Sequence, residues 1–522
     1  MHLILFFPVC ILIIIAAFFG EVMALAVGVP AEFADYPPDS FPQVLWRAGF
    51  WDARVDSVRG DSVFVSPGQA YIAQKITVYA ESTKIQALAQ ENIIIRPGDT
   101  LTAEFIARQE SRFISLCEDN GFPFAYCEHS FRGNGNNTEV HFHIDPGEPV
   151  RLARIEPEIE GKTRPGVIAH LMLFKPNMIF SRTEIFRATA KLRRTGIVSV
   201  SGEPYPALAP DGKWVLVLHC RDIPTTSASG VVGYYEGEFS GNFEFTSKNL
   251  FGTGRKVSFE LRADAQMKEI EISYAEPFVF SANVSPEFGT KWVIAESSYV
   301  RREHTLGVKI PLSYETDWYL GVLAGRTTPD EANPDGTNQE NYGAEMGVSY
   351  SSLDDAVLPG NGIFIRVSGS GEYQRSWGGE DLRQFGATGS GNFLIARKKG
   401  RFTIWLKGAG WGWILPNLVD RSRWEFLGGW QNLRGYRQNQ FAGIRIFWGT
   451  IEPRFILARG VHIFPFADIG GYRDLAGWNI KYSCGAGIEY RYRGGVFSIE
   501  YGIGEGVPLT RGLLHFGIRM NM

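Results

Sequence analysis

The 522-residue chain carries little net charge: 52 Lys and Arg against 56 Asp and Glu give −4. No basic patch stands out, so nucleic acid is not an expected partner. Cysteine is scarce too, and Cys117, Cys127, Cys220 and Cys484 show no metal-ligand spacing. Cys117 and Cys127 fall where a helix turns into a strand, which leaves open either a short disulfide or two buried thiols. Beyond Phe19 no apolar run is long enough for a spanning helix, so further membrane residence requires a closed barrel. Catalytic patterns are missing as well. His141 and His143 alternate on one predicted strand, but no Cys, Asp or Glu set completes a metal site. Gly252-Thr253-Gly254 precedes no helix and reads as a turn rather than a phosphate cradle. No serine occupies a nucleophile elbow. Nothing points to an enzyme, a cofactor or a metal.

What is present begins with an apolar run, Leu3 to Phe19, followed by the small-x-small pattern Ala24-Leu25-Ala26. Residues 1–26 read as a cleaved export signal. The positive flank is only the α-amino group and His2, so an uncleaved anchor helix is the alternative. Cys10 follows Phe7-Pro8-Val9, which is unlike a lipoprotein signal.

The first half repeats itself. Gly49, Gly121 and Gly196 each precede a β run (Phe50 to Val55, Phe122 to Tyr126, Ile197 to Val200). A second β run follows in each case: Ser62 to Val65, Glu139 to Ile144, Trp214 to Leu218. Helical stretches at Leu101 to Asn120 and Arg182 to Arg194 lead into the second and third copies, and Pro67-Gly68 and Pro146-Gly147 close the first and second. Each copy is predicted to be a helix whose C-cap glycine turns the chain into a hairpin. Two complete small α+β modules are expected, 70–147 and 148–222, with 27–69 a partial or atypical one. Sheets of this kind expose edges that accept an added strand, which gives the arm a role in engaging extended chains. A rigid spacer is the alternative.

From about Gly230 the pattern changes to strict alternation, as in Val257, Phe259, Leu261 and Ala263 against Ser258, Glu260 and Arg262. The chain ends the same way, with Leu514, Phe516, Ile518, Met520 and Met522 on one face. Strands that are apolar on one face and polar on the other suit a membrane barrel, and so do an aromatic share of 13% and a mean hydropathy near zero. Strand starts are predicted at 229, 255, 268, 277, 289, 303, 317, 341, 362, 385, 401, 441, 461, 481, 495 and 511. The fold class expected is an all-β transmembrane barrel of about sixteen antiparallel strands (223–522) behind tandem α+β modules. Turns after even strands are mostly tight, as at Ser313 to Thr316 and Tyr492 to Gly494; Ser352 to Asn361 is the longest exception. Ser240 to Gly254, Thr327 to Glu340 and Trp413 to Gln440 are expected as long loops after odd strands, on the outer side.

The loop Trp413 to Gln440 contains Gly428-Gly429-Trp430-Gln431-Asn432-Leu433-Arg434-Gly435-Tyr436. This resembles the Val-Arg-Gly-Phe/Tyr signature in the sixth extracellular loop of the BamA–TamA superfamily of outer-membrane insertases and transporters. Supporting fragments are Asn249-Leu250-Phe251-Gly252-Thr253-Gly254 after the first strand and Glu276-Pro277-Phe278 after the third. Phe464-Pro465-Phe466-Ala467-Asp468-Ile469-Gly470 sits on the thirteenth. The tandem modules resemble that family's POTRA domains, and about two and a half of them is nearer to the short-armed TamA-like members. The chain departs from the pattern in ending on Met522 rather than an aromatic residue.

The resemblance implies that this loop folds into the lumen as a latch. Arg434 would meet Glu452 and Asp468 on strands twelve and thirteen, with Gly435 allowing a tight turn and Tyr436 packing on the wall with a wet hydroxyl. Residues Arg445 to Arg454 do not alternate cleanly in sequence, so a β-bulge is expected to turn Glu452 inward. The implied function is assembly, insertion or translocation of outer-membrane proteins. Its partners would be the outer-membrane bilayer, unfolded client proteins and a periplasm-spanning protein, with the arm in the periplasm. The seam between the first and last strands would open, with Gly230, Gly233 and Gly237 weakening it. A transporter passing an unfolded protein through the lumen, as in two-partner secretion, is the alternative, and a passive porin or tether a third. Val29 to Pro42 makes a poor plug helix for the transporter.

Overall fold

The computed structural model describes residues 25–28, 45–59, 62–66, 68–235, 238–264, 267–279, 283–333, 336–355, 358–378, 381–415, 420–492 and 495–521. They form two compact units. One holds the described residues up to Ala153 with Asn177–Ile185 and Pro210–Trp214; the other holds Arg154–Pro176, Phe186–Ala209 and everything from Val215 onward. The expected export signal lies outside the described residues except for Leu25 and Ala26, as do the segment Val29 to Pro42, Gly237 and Met522. Leu25–Gly28 pairs antiparallel with Ser62–Ser66.

In the first unit, side-chain caps start the helices. Ser82 caps Thr83–Glu91, and the Thr102 hydroxyl accepts from the amide of Phe105 at 3.2 Å to open Ala103–Asp119. Along the longer helix Ile106, Phe113 and Cys117 recur at helical spacing and pack with Val140, Phe142 and Ile144. Gly121 then takes φ +103, ending the helix and releasing the chain into the hairpin Tyr126–Arg132 and Thr138–Asp145. Ala73–Ala80 adds parallel to Thr138–Asp145, which leaves Tyr126–Arg132 at the opposite edge. Cys117 and Cys127 are free thiols in this core; burial pushes them up to about 11 and about 12, so both stay protonated at neutral pH. In the second unit, Arg154–Glu160 lies parallel to Trp214–Asp222, with Val198–Leu208 on the other side: the same strand order.

Asp119, ending its helix, caps the start of Arg182–Thr195 in the same unit. Its carboxylate accepts from the Thr183 amide at 2.8 Å, the Thr183 hydroxyl at 2.7 Å and the Ser181 hydroxyl at 2.9 Å. Burial raises the acid, but these bonds and the Arg182 charge outweigh it and hold Asp119 below the ordinary carboxylate value. A depressed folded-state value stabilises above the unfolded pKa and is lost as pH falls through the folded one. Asp119→Ala is therefore expected to cost about 1 kcal/mol at pH 7 and progressively less under acid, read by urea unfolding of the purified protein across pH.

The second unit contains a closed barrel of sixteen antiparallel strands, from Thr226–Tyr235 to Leu513–Asn521. It is inside-out relative to a soluble core: Val322 is 56% exposed, whereas Glu452 is 0% and Arg301 is 6% exposed. Apolar side chains outside and charges within are what lipid around a polar lumen demands.

Two stretches differ from the sequence expectation. Ser240 to Gly254, expected as a long loop, is mostly the second strand, Glu238–Leu250. Its Gly, Asn, Ser and Lys content reads locally as a turn, and pairing with both neighbours overrides that preference. No strand starts at 277: the fourth ends at Ala275, Pro277 follows it, and the fifth begins at Ser285. The two errors cancel in the total. Asn249 to Gly254 thus closes the second strand, and Glu276-Pro277-Phe278 follows the fourth. The loop expected at Thr327 to Glu340 shortens to 330–337, because strands run to Pro329 and from Asn338.

Turns after even strands touch residues of the second α/β sheet's module. Gly252 accepts from the Arg164 amide at 2.9 Å, Lys191 donates to the Ser313 carbonyl at 3.1 Å, and Arg194 to that of Tyr314 at 2.9 Å. A Cβ at Gly252 (φ +71) would lie 1.9 Å from the Lys162 carbonyl oxygen, so only glycine fits this approach. The loops after odd strands therefore leave from the other end of the barrel.

Candidate functional site

Between the eleventh strand (Phe402–Leu415) and the twelfth (Arg445–Ala458), the chain folds inward as a short 3-10 turn, Arg421–Arg423, and a small hairpin, Glu425–Leu427 with Phe441–Gly443. Leu427, Leu433 and Tyr436 pack together and give this insertion its own apolar core.

The structure brings all five expected latch residues together. Arg434 Nε and Nη2 fork onto Asp468 at 3.1 and 2.6 Å, and Nη1 donates to Glu452 Oε1 at 2.8 Å. The planar guanidinium also stacks on Phe466, 3.5 Å from the ring centre. Thr450, Glu452 and Arg454 point inward, with Ile451 and Phe455 exposed between and beyond them. No bulge is needed for this. The register is the same at Ile451↔Ala467 and at Phe455↔Ile463, so Pro453 faces Pro465 and the ladder simply lacks those bonds; the irregularity comes later, between Ile456 and Ala458.

Two expected roles differ in their physical reason. Gly435 is not in a left-handed conformation; it is small because a Cβ there would lie 2.3 Å from the Gly504 amide nitrogen. Tyr436 is not wet: its hydroxyl donates to the Tyr482 carbonyl and accepts from the Glu505 amide, both at 3.0 Å.

Several participants were not singled out from the sequence. Glu500 of the fifteenth strand (Gly495–Gly504) accepts from Arg434 Nη1 at 2.9 Å, and Lys407 and Arg454 lie 2.7 and 3.1 Å from Glu452. A second cluster lies on another wall. Asp420 caps the 3-10 turn, and Arg423 there donates to Glu303 of the sixth strand (Tyr299–Pro311) at 2.6 Å and pairs with Glu372 of the ninth (Gly362–Trp377). Arg301 adds a 2.6 Å bond to the Ser422 carbonyl. In a closed sheet of sixteen, strand six lies about half-way round from strands thirteen to fifteen, while strand nine is three strands from strand twelve, which carries Glu452. One loop is thus anchored to opposite walls by two buried arginines. Elsewhere, His141 bonds the Thr77 hydroxyl at 2.5 Å and His143 stacks on Tyr79. Among the described residues no group of His, Cys, Asp and Glu is placed to hold a metal ion.

Residues 249–518 match the Omp85 superfamily domain. A stretch of 223 residues is 20% identical to the outer membrane protein assembly factor BamA of Neorickettsia risticii (strain Illinois), covering 42% of this chain and 30% of that protein. Another of 154 residues is 29% identical to the chloroplastic outer envelope protein 80 of Arabidopsis thaliana, covering 28% and 20%. The chain thus aligns with less than a third of the length of either relative. In fold it is similar to BamA from Haemophilus ducreyi lacking POTRA domains 1–3, with a TM-score of 0.52 at 15% identity over 86% of this chain and all of that one. It is equally similar to CdiB from Escherichia coli, with a TM-score of 0.53 at 11% identity over 93% and 99%. With the family domain matched over more than half its length, the chain belongs to the Omp85 superfamily.

Proposed function

We propose that this protein assembles other β-barrel proteins into the bacterial outer membrane, with an arm of two POTRA-like modules (70–147 and 148–222) in the periplasm. The observation that carries this reading is the loop fixed across the lumen by Arg423 and Arg434. A lumen crossed by its own loop is a poor pore. The work then falls to the barrel wall, to bilayer thinned by local mismatch beside it, and to the arm. The reaction needs no covalent chemistry: client strands exchange water for backbone partners and then lipid.

The arm supplies edges for such pairing, and they are unequal. In the second sheet both outer strands carry proline, Pro157 on Arg154–Glu160 and Pro204 and Pro206 on Val198–Leu208. Proline removes a donor and blunts an edge. The edge strands Ala73–Ala80 and Tyr126–Arg132 of the first sheet have none. A photo-crosslinking residue at Tyr126 or Arg132 is expected to capture extended client segments, and one at Ser201 or Tyr205 is not. Equal capture at both sheets would remove the edge argument.

Passage of an unfolded protein through the lumen is the second reading, favoured by the equal likeness to CdiB; it requires both arginine clusters to break. Depleting the protein distinguishes the two. The first reading predicts a fall in many outer-membrane barrel proteins, while the second predicts periplasmic retention of one secreted substrate with barrel levels unchanged. A periplasm-spanning protein bound to the arm is a further proposed partner.

A further inference from the structure

The barrel wall closes at one seam, where Ser227 to Tyr234 of the first strand pair with Asn521 to Leu514 of the last. This ladder is continuous, and Gly230 and Gly233 sit within it opposite Ile518 and His515. The lumen loop touches both sides of that seam. On the C-terminal side, His515 Nε2 donates to the Arg434 carbonyl at 2.9 Å, Glu500 accepts from the Arg434 guanidinium, and Tyr436 is bonded to Tyr482 and Glu505. A Cβ at Gly502 would lie 2.5 Å from the Arg434 carbonyl oxygen, so loop and wall backbones are in direct contact. His515 itself belongs to the last strand, and a Cβ on Gly233 across the seam would lie 3.5 Å from its Nδ1. On the N-terminal side, Asn439, held at φ +56, donates from Nδ2 to Asp264 Oδ2 at 2.8 Å. Asp264 is fixed in the turn after the third strand, where its other oxygen accepts from the Met267 amide at 2.8 Å.

We propose that Arg434 to Asn439 is a clasp spanning the seam, so that the first and last strands part only when the clasp lets go of one side. The loop that crosses the lumen and the gap through which client strands would enter the bilayer then move together. His515 and Asn439 are positioning residues at the two ends.

The inference rests on the assembly reading only for the use of seam opening; opening itself is measured without a client. The experiment is hydrogen–deuterium exchange of the full chain in lipid nanodiscs, comparing Asn439→Ala, Asp264→Ala, His515→Phe and His515→Gln with the parent. Exchange in Thr226–Tyr235 and Leu513–Asn521 is expected to rise at least fivefold in the first three. His515→Gln keeps a donor and is expected to stay near the parent. The seventh and eighth strands, Thr316–Pro329 and Asn338–Ser351, are expected to be unchanged in all four. Unchanged seam exchange, or a rise shared equally by all barrel strands, would overturn the clasp. A positive result alongside normal client levels in depleted cells would instead count against the assembly reading and leave the clasp standing.

Discussion

Arg434→Ala is expected to leave export and folding of the barrel intact while releasing the lumen loop, loosening the seam and lowering client assembly sharply. In the wild type Asp468 receives the Arg434 fork and the hydroxyls of Thr450 and Ser483, at 2.9 and 3.1 Å. Glu452 keeps Lys407 and Arg454 when Arg434 is lost, so the stranded charges are Asp468 and Glu500 rather than the pair expected from the sequence. Stranding a buried charge costs about 3–5 kcal/mol, which is a shift of roughly two to three orders of magnitude in the docked-to-released ratio. Arg434→Lys is expected to rescue poorly, because a point charge cannot hold a fork on Asp468 and reach Glu452 and Glu500 together. Complementation of a deletion strain, with limited proteolysis of the loop on intact cells, reads both effects. Wild-type client levels with an equally protected loop would contradict the latch.

Arg423→Ala is expected to have an effect of similar size on the opposite wall but a different readout. Glu303 and Glu372 then face each other with less counter-charge, although Arg301 remains 3.7 Å from Glu303 and Asn341 still donates to Glu372 at 3.1 Å. The loop would swing on its Arg434 anchor and uncover part of the lumen. Single-channel conductance in planar bilayers is expected to rise several-fold, with little change in seam exchange, since the clasp residues are untouched. Unchanged conductance would mean that the loop does not block the lumen through this anchor.

How much of this was legible in the sequence depends on how local each signal is. Side-chain alternation belongs to single strands, so Val257 to Ala263 and Leu514 to Met520 could be read directly. The turning glycines Gly49, Gly121 and Gly196 were equally plain, because a left-handed residue after a helix leaves a fixed mark. Glu238–Leu250 was not legible: its strand character comes from two neighbours in the sheet rather than from its own residues. The motif around Arg434 pointed to Glu452 and Asp468, but Glu500 sits on a strand with no motif of its own. Arg423 lies in a polar stretch, and its acids, on strands six and nine, meet it only after the barrel has closed. His515 alternates like any inward residue, and nothing in sequence marks its bond to a loop carbonyl 81 positions away. Partners brought together by closure carry no spacing to read.

The most direct measurement is folding of an unfolded outer-membrane barrel protein into liposomes, followed by the mobility shift of its unheated form. Liposomes containing this protein are expected to fold the client many-fold faster than empty ones, and liposomes containing Arg434→Ala close to the empty rate. Equal rates for wild-type and empty liposomes, with the inserted protein itself folded, would contradict the assembly function.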